Sequence, residues 1–267
     1  MNLRTLALGL LLAAFSTNST LAQDWAKERL NRSPRHSEWV DLKHGDRTVK
    51  AFVVYPEVKT KTPVVLVIHE IFGLTDWAKS LVDELAAAGY IAIAPDLLSA
   101  PGKDTSSYPD QGAAIKAVSA LPNEQVFADL DAAADYAMKL PACDGTIAVT
   151  GFCWGGGKSF AYANHNPHLK AAFVFYGAGP ETANEADKIA CPIYGFYGEN
   201  DARIGATIPQ TKEIMTKAGK TYEPVTYPGA GHGFMRAGEA PDASDANRKA
   251  HDAAWERWKL LLKKLAG

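Results

Sequence analysis

One thiol set among glycines, one histidine in a glycine turn and a few acids at the ends of apolar runs are the residues of this chain that could do chemistry. Cys153 stands in Gly151-Phe152-Cys153-Trp154-Gly155-Gly156-Gly157, directly after the apolar run Thr146–Thr150. A G-x-nucleophile-x-G turn between strand and helix holds its middle residue in a strained conformation. Side chains on its flanks would collide with strand or helix, so glycines there make room for a reactive group. A thiolate is a strong nucleophile, yet a thiol of pKa about 8.5 is only slightly ionised at neutrality. His232, inside Gly231-His232-Gly233, is the candidate base, since an imidazole of pKa about 6.5 accepts a proton from sulfur and returns it to a leaving alkoxide. Asp201, in Gly198-Glu199-Asn200-Asp201, is placed to fix the imidazole tautomer and stabilise its charged form. Glu199 is the competing acid.

Glu70 follows the run Val64–Ile68 and points from the end of that strand into the crevice of Cys153. Alternatively it is a solvated carboxylate of the kind that strand ends often carry. Charge that builds on an attacked carbonyl oxygen needs fixed donors, and the backbone N–H groups of Ile71 and Trp154 are placed to supply them. His69 orients its neighbours or packs. Free cysteines are often apolar filler, but a cysteine in a glycine-lined turn has little reason to be one.

These groups must be carried by strands and helices, and both are legible. Glu38–Leu42 and Thr48–Val54 flank His44-Gly45-Asp46 as an antiparallel hairpin. Apolar runs then follow at Val64–Ile68, Ile91–Ala94, Ile147–Val149, Ala171–Phe175, Ile193–Phe196 and Pro224–Thr226. Without polar alternation these read as strands buried on both faces. Helical spacing predicts helices over Trp77–Ala88, Glu124–Leu140, Gly156–Ala163, Ile208–Ala218 and Ser244–Leu265. The succession predicts an α/β protein with a mostly parallel, doubly wound sheet and helices on both faces, its ligands gathering beyond the carboxyl ends of the strands. Leu97–Leu121, rich in Ser, Pro, Gly and Asp, reads as a surface excursion that partly covers the pocket.

Four segments together, His69-Glu70-Ile71-Phe72-Gly73, the cysteine elbow, Gly198–Asp201 and Gly229–Phe234, resemble the dienelactone hydrolase (carboxymethylenebutenolidase) family of α/β-hydrolases. The likeness runs from about Glu38 to the last helix. It implies the order nucleophile, acid, histidine in Cys153, Asp201 and His232, with no cofactor. It further implies that Glu70 contacts the resting thiol and, once drawn toward Arg236 by substrate, takes the proton from sulfur. Arg236, four residues after His232, would also bind a substrate carboxylate. One departure bears on the substrate: family members acting on dienelactone use a second arginine, yet no arginine lies between Arg47 and Arg203. Lys103 or Lys116 would substitute imperfectly, since lysine lacks the planar fork.

Met1–Ala22 reads as a cleavable secretory signal, with Arg4 before an apolar core that is too short to span a bilayer and Thr20-Leu21-Ala22 as the cleavage site. That predicts an exported protein, periplasmic or secreted, whose residues 23–267 form a single domain. The 47% hydrophobic content is enough for a well-developed core. A net charge of −2 without a basic cluster argues against nucleic acid or an anionic membrane as partner and leaves a small ester or lactone. Three cysteines without CxxC or His-rich spacing do not favour a metal site. Cys143 and Cys191 precede strands separated by a third, beyond disulfide reach unless the preceding loops bend together, and read as buried thiols. Nothing in the sequence sets the oligomeric state. Three functions stay open: a hydrolase of carboxylate-bearing esters or lactones, a general carboxylesterase or thioesterase, and a non-catalytic thiol sensor or binding protein on the same scaffold.

Overall fold

Strands that carry apolar side chains on both faces need cover on both, and this chain supplies it from alternating helices. The computed structural model describes residues 23–265; the leader read at Met1–Ala22 lies outside them. Strands β1 (Ser37–His44) and β2 (Arg47–Val54) form the expected antiparallel hairpin, His44 opposite Arg47, with Gly45 at φ 51° in its turn. They join β3 (Thr62–Ile68), β4 (Ile91–Pro95), β5 (Cys143–Phe152), β6 (Ala172–Phe175), β7 (Ile193–Gly198) and β8 (Tyr222–Tyr227) in one sheet. The strand order is β1-β2-β4-β3-β5-β6-β7-β8, with β2 antiparallel to β1 and β4 and every other pair parallel.

The helices are α1 (Asp24–Asn31), α2 (Asp76–Ala87), α3 (Gln111–Ser119), α4 (Asn123–Met138) and α5 (Trp154–His165), then α6 (Ala202–Gly205), α7 (Ile208–Lys217), α8 (Phe234–Glu239) and α9 (Asp245–Lys263). Successive residues of β3 point into opposite cores. Val65 and Val67 belong to the core that includes Trp77 and Leu81 of α2 and Trp258 of α9. Val64, Leu66 and Ile68 belong to the one that includes Val126 and Leu130 of α4, Phe160 of α5 and Met215 of α7. All of β3 is buried. Each such aliphatic side chain contributes roughly 1.5–3 kcal/mol on burial, so the central strands are rigid and their ends well fixed.

One segment is filled in and one expectation is corrected. The surface excursion Leu97–Leu121 holds a helix, α3, capped by Asp110, whose Oδ1 accepts from the Ala113 N–H at 2.8 Å. Only Ala114 and Val118 of α3 are buried, a stripe too thin to show as a period. The run at Pro224–Thr226 is not buried on both faces; β8 is the edge strand and Val225 is exposed. An edge tolerates Pro224 because its missing N–H takes no ladder bond from a neighbour. Cys143 and Cys191 are buried free thiols.

The chain leaves β3 toward β4 on one side and returns to β5 on the other. The helical connections therefore diverge beyond the ends of β3 and β5, and a crevice opens there.

Candidate active site

Cys153 sits where β5 turns into α5, at φ 57° and ψ −117°, a region that non-glycine residues rarely occupy. The surroundings hold it there. Its N–H donates to the Phe175 carbonyl at 3.0 Å, and its own carbonyl accepts from Gly156 at 3.0 Å. A Cβ on Gly151 would collide with the Gly155 carbonyl, and one on Gly155 with the backbone carbonyls of Ile68 and His69. The flanking glycines thus let α5 close onto β5 and β3, which leaves the thiol partly exposed at the crest.

His232 comes from the loop after β8, anchored by the Gly231 N–H donating to Asn247 Oδ1 at 3.0 Å and released into α8 by Gly233 at φ 74°. Asp201 follows β7 and caps α6, where its Oδ1 accepts from the Ile204 N–H at 3.3 Å. Its other oxygen accepts from His232 Nδ1 at 2.5 Å, which assigns the proton to Nδ1 and leaves Nε2 for the thiol. Glu199 is elsewhere: its carboxylate takes the Gly229 N–H at 2.8 Å. Burial works against a charged His232, but hydrogen bonds to Cys153 and Asp201 outweigh it, so the imidazole is shifted above its usual value.

In Asp201→Asn one of the two groups supporting the imidazolium loses its charge. The pH at which His232 titrates is expected to fall, and turnover to drop by on the order of 10³–10⁴-fold. NMR titration of the His232 ring protons checks the first, and an unmoved midpoint would remove Asp201 from its assigned part.

Glu70, buried at the end of β3, accepts from Arg236 Nε at 2.8 Å. Burial raises its carboxyl above the ordinary carboxylate range, with the Arg236 charge pulling the other way. It is therefore a better proton acceptor near neutrality than a solvated acid. Arg236 lies on α8 with its guanidinium 5.4 Å from the centre of the Phe72 ring. The solvated-acid reading of Glu70 gives way to this pair. Lys103 and Lys116 are exposed on the excursion.

The N–H groups of Ile71 and Trp154 donate to no protein acceptor among the described residues. The excursion covers this end of the crevice: Leu98, Ala114 and Val118 pack with Ile71, Tyr108 and Trp154. It is pinned by Asp96, which accepts from the Thr105 N–H at 2.8 Å and the Thr105 hydroxyl at 2.7 Å.

Sequence reasoning missed Tyr176. It is fully buried at φ 40°, its ring edge-on to His232 at 5.0 Å, and its hydroxyl has no hydrogen-bond partner among the described residues. Its only signal was its place just after β6, the strand beside the elbow.

The sequence matches the Dienelactone hydrolase family over residues 49–266. It is 38% identical over 200 residues to a Methylorubrum extorquens protein named "Putative carboxymethylenebutenolidase", covering 71% of this chain and 69% of that one. The crystal structure of a "Putative Dienelactone Hydrolase" from Klebsiella pneumoniae superposes with a TM-score of 0.75 at 30% identity, covering 86% of this chain and 98% of the other. A thermostable carboxyl esterase from Bacillus coagulans shares the fold alone, with a TM-score of 0.68 at 13% identity over 86% of this chain and 99% of the other. With the α/β-hydrolase sheet in place and the family motifs gathered at its crest, this chain belongs to the dienelactone hydrolase family and is a hydrolase.

Proposed function

We propose that this chain hydrolyses a small carboxylic ester or lactone bearing a carboxylate, by way of an acyl-thioester on Cys153. The observation that carries the reading is the line from Asp201 through the 2.5 Å hydrogen bond to His232, and from His232 to the thiol at a strained turn. The proton of Cys153 passes to His232 Nε2, or to Glu70, and sulfur bonds to the carbonyl carbon. The oxygen gains charge opposite the Ile71 and Trp154 N–H groups. The C–O bond breaks as the group that took this proton, His232 or Glu70, gives it to the leaving alkoxide. Water, deprotonated by His232, then attacks the thioester, the C–S bond breaks, and the acid and the thiol are restored.

Arg236 engages Glu70 through Nε, and the rest of its planar fork suits a substrate carboxylate. A second reading, an esterase or thioesterase indifferent to charge, draws on the same contact: Glu70 occupies part of the guanidinium a carboxylate needs, and no arginine lies between Arg47 and Arg203 to supply a second.

Mixing the protein with p-nitrophenyl acetate and weighing it intact tests the scheme. A mass gain of one acetyl group on Cys153 is expected; a thiol that reacts with iodoacetamide yet never carries an acyl group points instead to a sensor or binding protein. Arg236→Ala separates the two substrate readings. Loss of one charge-assisted contact, about 1.5–3 kcal/mol, lowers kcat/KM roughly 10- to 150-fold for carboxylate-bearing esters and far less for neutral ones. An equal loss on both favours the second reading. Export is the proposal for the leader-like Met1–Ala22, and cell fractionation of the full chain checks it: recovery in the cytoplasm at full length would exclude a cleaved leader.

A further inference from the structure

His69 is fully buried between two parts of the candidate site that come from different strands. Its Nδ1 lies 2.7 Å from the carbonyl oxygen of Glu70, and its Nε2 accepts the Leu97 N–H at 3.4 Å. A carbonyl only accepts and an N–H only donates, so the ring must be neutral with its proton on Nδ1. Burial favours the same neutral state. The ring also lies nearly parallel to the indole of Trp154, 5.8 Å between centres and 14° between planes.

The Glu70 carbonyl and the Ile71 N–H belong to one planar trans peptide unit and point in opposite directions. Whatever holds that carbonyl therefore aims that N–H. Gly73 also donates to the Glu70 carbonyl, at a longer 3.2 Å, so the imidazole makes the tighter of its two hydrogen bonds. On the other strand, the plane of His69 supports Trp154, whose backbone N–H starts α5 immediately after Cys153.

We infer that His69 is a positioning residue that sets both halves of the oxyanion hole, turning the Ile71 N–H into the crevice through the Glu70 carbonyl and bracing Trp154 by stacking. The inference rests on the acyl-transfer reading above. His69 touches no reacting atom and moves no proton. Its effect is confined to steps in which a carbonyl oxygen gains charge.

That restriction supplies the test. Alkylation of Cys153 by iodoacetamide uses the same thiol and the same His232 but develops no carbonyl oxyanion. His69→Phe keeps a flat ring against Trp154 and removes the donor. With p-nitrophenyl acetate its kcat is expected to fall about 10- to 100-fold at nearly unchanged KM, somewhat less than deletion of a whole oxyanion donor costs. The iodoacetamide rate should stay within about twofold of the parent's. His69→Gln, whose amide can donate to the Glu70 carbonyl, should recover most of the loss. If His69→Phe fails to fold, His69→Asn, too short to reach that carbonyl, must show the same loss with alkylation intact. An unchanged kcat overturns the inference, as does alkylation that falls in step with turnover, or a glutamine variant no better than phenylalanine. A parent protein that forms no acyl adduct at all overturns the ester reading itself, an outcome distinct from these.

Discussion

Cys153→Ala is expected to lower ester turnover by roughly 10⁴- to 10⁶-fold, the range in which removing a covalent nucleophile leaves only binding and oxyanion stabilisation. Intact protein should then carry no acyl group after exposure to p-nitrophenyl acetate. Stability follows a different course, because the strain at φ 57° belongs to the backbone and not to the sulfur. Alanine keeps a Cβ and therefore keeps the strain. Glycine at 153 releases it, a gain of about 1–3 kcal/mol offset by about 0.5–1 kcal/mol of extra chain entropy. Cys153→Gly should thus melt a few degrees above Cys153→Ala, at about 2–4 °C per kcal/mol for a domain of this size. Calorimetry on the two inactive variants reads this directly. Equal melting temperatures would mean that the elbow stores no more strain than the entropy of glycine offsets, about 1 kcal/mol at most.

The second large effect concerns Gly155. A methyl group there meets the carbonyls of Ile68 and His69, both main-chain atoms of the central strand end, which cannot swing aside as a flexible side chain can. Gly155→Ala should destabilise the protein by about 3 kcal/mol, the upper part of the range for overpacking. It also pushes α5 away from β3, separating the Trp154 and Ile71 N–H groups, and a shift of about 1 Å costs on the order of 10²-fold in rate. Gly157, two residues on in the same helix, has its nearest neighbour 3.5 Å from the added carbon. Gly157→Ala is therefore expected to gain about 0.5–1 kcal/mol from helix propensity alone. Denaturant titration of the pair decides the matter: the same substitution must carry opposite signs at 155 and 157.

Much of this architecture was legible because both faces of the strands are covered. Continuous runs such as Val64–Ile68 admit few other readings, and the glycines around Cys153 announce a close approach that only a tight strand-to-helix turn requires. Asp201 was preferred over Glu199 on motif, and geometry explains the preference: the shorter side chain caps α6 while still reaching His232, whereas Glu199 turns to the Gly229 N–H. What stayed hidden depends on partners far away in sequence. Helix α1 has one buried residue, Ala26, and an ion pair from Arg29 to Glu239 of α8. Neither leaves a local period. Tyr176 and His69 owe their places to side chains brought in by other strands, and no spacing rule points to a tyrosine hydroxyl without a partner.

The groups assigned to bond making sit at the tips of separate strands, locked by main-chain contacts, whereas the cover over Ile71 and Trp154 is one continuous stretch hung from Asp96. The two are joined where the Leu97 N–H holds His69 and Leu98 packs with Ile71 and Trp154. On the proposed ester reading, exchanging the stretch after Leu98 for a different insertion would change which substrates are admitted, while the sulfur, the imidazole, their acid and the Leu97 hold on His69 keep their places.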